Sequence, residues 1–148
     1  MTAFHIRPAM AGDAPGATET LRAAYAPYRA QGIALPPVEE GVAETIEETP
    51  VFVAQSGADI AGVIVLRIGT DHLQVENLAV HPAASGTGIA TALLQQAERV
   101  ARQRGLATLR LATHSALART IGLYRHLGWT NSEMSGPKVM MEKPVSPD

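Results

Sequence analysis

The chain has 148 residues, 4% of them aromatic and none of them cysteine, and its 12 lysines and arginines nearly cancel 14 aspartates and glutamates for a net charge of −2. That length suits one domain over residues 1–148, and the missing thiols exclude disulfides, thiolate metal sites and a cysteine nucleophile. Without a basic surplus or aromatic stacking platforms, neither nucleic acid nor an anionic membrane surface is an expected partner.

Met1 to Arg7 lacks the apolar run of a signal peptide. The longest apolar stretch, Ala61 to Leu66, is far short of the roughly 20 residues that span a bilayer, so a cytoplasmic protein is expected. Phe4 to Arg7 alternates as a first strand ended by Pro8. Asp13 and Pro15 form a helix-start signal, Asp13 as N-cap, and Ala17, Leu21, Ala24, Tyr25 and Tyr28 then recur at helical spacing. A loop around Gly32 and Pro36-Pro37 leads to an acidic helix predicted over Val38–Glu48.

Strands are predicted at Val51–Ala54, Ile60–Ile68 and His72–Val80, separated by turns at Ser56–Asp59 and Gly69–Asp71. Along the third of these, Leu73, Val75, Asn77 and Ala79 share one face; His72, Gln74, Glu76, Leu78 and Val80 share the other. Gly86-Thr87-Gly88 opens a long amphipathic helix to about Arg104, with Gly105 as its C-terminal cap. A strand at Ala107–Thr113, a helix at Ser115–Leu127 and strands at Trp129–Met134 and Lys138–Pro144 complete the chain. Three strands in hairpin succession before a β-α-β crossover predict an α/β (α+β) fold, a mixed sheet with helices on its faces.

The stretch from Glu76 to Ala90 runs strand, glycine-bearing loop, helix N-terminus. Backbone N–H groups at a helix start have no intrahelical partner, and the macrodipole adds partial positive charge, so such a loop can hold a phosphate without a basic side chain. A Walker loop needs a Gly-Lys-Ser/Thr that is absent here, and a dinucleotide fingerprint needs a third glycine or alanine where Thr91 stands. A plain structural turn is the remaining alternative on these residues alone.

Three motifs in order narrow the choice. Asn77-Leu78-Ala79-Val80-His81-Pro82, then Gly86-x-Gly88-Ile89-Ala90, then Leu123-Tyr124-Arg125-His126-Leu127-Gly128-Trp129 resembles the GNAT superfamily of acetyl-CoA-dependent N-acetyltransferases from position 77 to 129. The order of predicted elements fits that family along the whole chain. The resemblance implies a mostly antiparallel central sheet splayed between the fourth and fifth main strands and flanked by about four helices. It implies that acetyl-CoA is the cosubstrate, with its pantetheine along Leu78, Ala79 and Val80 and its pyrophosphate on the N–H groups of Ser85, Gly86, Thr87, Gly88, Ile89 and Ala90. It implies that Tyr124 lies near the sulfur as general acid, with no metal required.

The chemistry of those roles is plain. Amine attack on a thioester builds charge on the carbonyl oxygen, which a free strand N–H such as that of Leu78 can stabilise. A phenol of pKa about 10 can protonate a leaving thiolate of pKa about 8.5. Glu76 is the first candidate for the base and His114, at the end of its strand, the second; His72 stands further off. Plainer readings put Glu76 in solvent and Tyr124 in the core. Two positions depart from the family pattern: Ser85 replaces the usual Arg/Gln at the start of the pyrophosphate loop, and the usual asparagine before the tyrosine is missing, with Leu117 and Thr120 at the matching positions. Thr120 keeps a hydrogen-bonding group for pantetheine.

Tyr25, Tyr28 and the acidic segment to Glu48 correspond to the family's acceptor wall, where an acidic rim would attract an amine. The expected activity is acetyl transfer from acetyl-CoA to a primary amine of a small molecule or peptide, by direct attack in a ternary complex. A non-catalytic acyl-CoA-binding sensor is the alternative, and a homodimer through the terminal strands is left open.

Overall fold

A computed structural model describes residues 3–147 of the protein. Seven strands and four helices follow in the order β1 (His5–Pro8), α1 (Ala14–Ala30), α2 (Val42–Glu48), β2 (Val51–Ser56), β3 (Asp59–Ile68), β4 (His72–Val80), α3 (Ile89–Gln103), β5 (Thr108–His114), α4 (Ala118–His126), β6 (Thr130–Ser135) and β7 (Lys138–Pro144). The strands form one sheet of order β1-β2-β3-β4-β5-β7-β6. β1 with β2, β2 with β3, β5 with β7 and β6 with β7 are antiparallel, whereas β4 and β5 are parallel, His72–Val75 registering with Thr108–Leu111. The mixed, mostly antiparallel sheet with four helices is the predicted fold class.

The chain divides into two units, residues 3–66 with 77–96, and residues 67–76 with 97–147. In the first, Ala17 and Leu21 of α1 and Val42 of α2 join Val51, Val53, Val63, Val65 and Ala79 in one buried cluster. Thr20, fully buried, satisfies its hydroxyl by donating to the Ile60 carbonyl at 2.9 Å. Gly62 on β3 admits α3 closely: a Cβ there would stand 2.5 Å from Cγ2 of Ile89 and 3.1 Å from Cδ1 of Leu93.

In the second unit, residues of one parity are buried: Leu73 and Val75 on β4, Leu109 and Leu111 on β5, Val139 and Met141 on β7. The register places Gln74, Arg110 and Glu142 side by side on the opposite, polar parity. Glu98 of α3, mostly buried, accepts hydrogen bonds from Ser146 N–H at 2.8 Å and Lys143 Nζ at 3.1 Å and so ties the C-terminal segment to the helix.

Three expectations are corrected. Asp13 stands at the N-cap of α1, but its carboxylate does not cap; it pairs with both Nη groups of Arg7 at 2.8 Å and accepts from Met10 N–H. The acidic helix starts at Val42, not Val38, because Gly41 takes φ 71° and breaks the backbone just before it. The helix predicted from Ser115 starts at Ala118, the intervening residues making a turn in which Leu117 N–H donates to His114.

Candidate active site

In the first unit, β4 ends in Leu78, Ala79 and Val80, of which Ala79 is buried and the other two half-buried. The loop that follows is fixed from within. His81 N–H donates to the Ala61 carbonyl at 2.8 Å, the His81 Nδ1 accepts from Ala83 N–H, and Pro82–Ala84 forms a single 3-10 turn. Ser85 N–H closes that turn on Pro82 at 3.2 Å, so of the predicted donor row this amide is already engaged. The Thr87 hydroxyl donates to the Ala84 carbonyl at 2.6 Å. Gly86 and Gly88 then take φ 79° and 86°, a region L side chains rarely adopt, and a Cβ at either would meet only open space.

The consequence is a row of N–H groups at the head of α3. Among the described residues, those of Gly86, Thr87, Gly88, Ile89 and Ala90 donate to no backbone carbonyl. Ile89 is buried and anchors the turn, while Ser85, Gly86 and Gly88 are exposed. Open donors at the positive end of a fifteen-residue helix suit an anion.

Also in the first unit, Tyr25 and Tyr28 are half-buried on α1. Burial raises the Tyr25 phenol above its ordinary pKa, and the Arg29 guanidinium lies 5.6 Å from the centre of its ring. Arg29 grips the following loop, donating to Glu39 at 2.5 and 3.0 Å and to the Pro36 carbonyl at 2.8 Å. Its hydrogen bonds hold the Glu39 carboxyl below the usual range. The role of Arg29 as a clamp depends on a turn ten residues away, which the sequence does not show.

In the second unit, Glu76 is exposed on the polar parity of β4 and its Oε1 accepts from Nε of Arg67 on β3. Arg67 was not singled out in the sequence. His72 is engaged with Asp71 through Nδ1 at 2.8 Å. His114 ends β5 half-buried, and its Nδ1 accepts from Ala116 N–H at 3.0 Å. Thr120 is half-buried on α4 and Leu117 buried just before it. Tyr124 is 5% exposed, its ring centre 5.8 Å from that of Trp129 at 56°. Trp129 N–H returns to the Tyr124 carbonyl at 2.9 Å where the helix ends.

A mixed α+β sheet with a strand, glycine loop and helix that present unpaired donors defines a class of domain able to seat a phosphate-bearing ligand on backbone N–H groups. Residues 18–129 match the model of the acetyltransferase (GNAT) family, and the chain belongs to that family. An IAA acetyltransferase of Azospirillum brasilense is 33% identical over 102 residues, 64% of this chain and 67% of that protein. The structure of PaiA N-acetyltransferase from Thermoplasma acidophilum in complex with coenzyme A superposes with a TM-score of 0.80 at 21% identity, covering 96% of this chain and 99% of that one. The ribosomal-protein-S18-alanine N-acetyltransferase of Escherichia coli also gives 0.80, at 23% identity over 97% and 95% of the two chains. These structural likenesses show the shared fold. No helix among the described residues is long and apolar enough to cross a membrane.

Proposed function

We propose that the protein is an acetyl-CoA-dependent N-acetyltransferase that acts on a primary amine by direct attack in a ternary complex. The observation that carries this reading is the row of unpaired N–H groups at Gly86–Ala90, in a chain of the acetyltransferase family. Those groups receive the pyrophosphate, Leu78, Ala79 and Val80 pair with the pantetheine through their backbone, and the Thr120 hydroxyl adds a side-chain contact. Glu76, directly or through a water, takes the proton of the incoming ammonium. The amine nitrogen attacks the thioester carbonyl carbon, and the Leu78 N–H stabilises the oxyanion. Tyr124 gives its phenolic proton to the departing thiolate. Tyr25 and Tyr28 line the acceptor. With no cysteine in the chain, an acetyl-cysteine intermediate is impossible, so transfer is direct.

Glu76 ranks above His114 as the base because the His114 Nδ1 lone pair is already engaged by Ala116 N–H. Leu117, buried and unable to hydrogen-bond through its side chain, favours the second reading, a CoA-binding sensor without turnover. One screen separates them: release of free CoA from acetyl-CoA across small amines, amino acids, aminoglycosides and peptides, beside a thermal shift with acetyl-CoA. Amine-dependent release is expected. A thermal shift without release with any amine would favour the sensor, and an unchanged melting temperature at saturating acetyl-CoA would defeat both readings.

A further inference from the structure

The Arg67–Glu76 pair differs from the hydrogen-bonded contacts of Arg7 and Arg29. Arg7 places both Nη groups on Asp13 and its Nε on Gln55, and Arg29 places both Nη groups on Glu39 and Pro36. Arg67 meets Glu76 through Nε alone, and among the described residues its two Nη groups have no hydrogen-bond partner. The side chains are 59% and 39% exposed, so the pair is open to solvent. A pair joined at one edge thus presents a cationic fork and an anionic oxygen next to each other.

Such a juxtaposition is complementary to a molecule with an ammonium and a carboxylate one carbon apart. The guanidinium fork matches a carboxylate in two parallel N–H···O bonds, and the carboxylate oxygen accepts from an ammonium. A simple cationic amine or polyamine is disfavoured at the same place, because Arg67 offsets the charge that Glu76 would use to attract it. We infer that the acceptor is a free α-amino acid, its carboxylate held by the Nη groups of Arg67 and its amine set against Glu76. This rests on the acetyl-transfer reading of Glu76. The ammonium loses a proton to Glu76, the amine nitrogen attacks and forms the N–C bond to the acetyl carbonyl, the C–S bond breaks as the thiolate takes the Tyr124 proton, and the second proton of the nitrogen returns to the Tyr124 phenolate through solvent, giving an N-acetylamino acid and CoA.

The test compares CoA release with a set of amino acids and with their primary amides, which keep the amine and lose the negative charge. The wild-type protein should prefer the acids in kcat/KM, and Arg67→Gln should lower the acid-to-amide ratio of kcat/KM by about tenfold or more, as loss of a charge-assisted contact to the carboxylate requires. Arg67→Lys, which keeps the charge but not the fork, should fall between them. Amides used as well as acids by the wild type, or an Arg67→Gln variant equally slow with both sets, would overturn the inference; so would release with polyamines or amidated peptides only, which leaves acetyl transfer standing. No release with any amine, from protein that acetyl-CoA stabilises, would overturn acetyl transfer and this inference with it. Melting temperatures of both variants near wild type exclude misfolding as the cause.

Discussion

The ring of Tyr124 packs against Trp129 and the hydroxyl is the only group Tyr124→Phe removes. Burial and catalysis therefore make different demands on one side chain, and the variant separates them. We expect CoA release to fall by about a hundredfold or more, the usual contribution of a general acid, from protein that stays folded at the assay temperature. A fall in melting temperature with full activity would return Tyr124 to the core alone. Glu76→Gln should cost a comparable factor, whereas His114→Ala should cost less than about tenfold, since its Nδ1 is engaged by Ala116 N–H. Steady-state kinetics of the pair at one pH tells the two candidates apart. At this scale residue type and order were legible but partners were not: nothing in the sequence says that Ser85 N–H turns back to Pro82 or that Arg67 reaches Glu76.

At the scale of elements, α3 depends on a missing side chain. With a Cβ at Gly62 only 2.5 Å from Ile89, Gly62→Ala must push the first turn of the helix outward or strain it. We expect a loss of about 1–3 kcal/mol in denaturant unfolding and a smaller thermal shift with acetyl-CoA, because Ile89 sits among the donors of the loop. The other end of α3 is held by Glu98. Burial would raise its pKa, but the Ser146 N–H and the Lys143 ammonium outweigh burial and hold it below the ordinary range. Glu98→Ala should cost about 1–3 kcal/mol by leaving these partners without an acceptor, read by the same unfolding curves. The helical stripes Ile89, Leu93, Ala97 and Leu117, Ile121, Tyr124 were legible because burial follows the 3.6-residue period. Helix starts were read less well, since Gly41 and the His114–Leu117 turn end extended chain by backbone geometry rather than by a capping side chain.

Across the whole molecule, Asp13, Glu39, Asp71 and Glu98 all hold their protons less tightly than ordinary carboxyls do, the first three chiefly through hydrogen bonds from Arg7, Arg29 and His72. The unfolded chain therefore binds more protons in acid than the folded one. The stability these groups contribute is present above their unfolded pKa values and lost as pH falls through the folded ones. Melting temperature should be flat near neutrality and decline below about pH 5, with Glu98→Gln showing a shallower decline; a pH-independent melting temperature would contradict the ion pairs. The order of strands was only partly legible. Strands were expected at β6 and β7, but that β7 enters beside β5 and leaves β6 at the edge is a matter of pairing that no local pattern encodes. That edge strand, Thr130–Ser135, is exposed at all six positions, in a chain without a single thiol. One cysteine placed at Ser132 would thus be the sole thiol of this sequence, an address where a fluorophore or spin label attaches to one site on the outer strand.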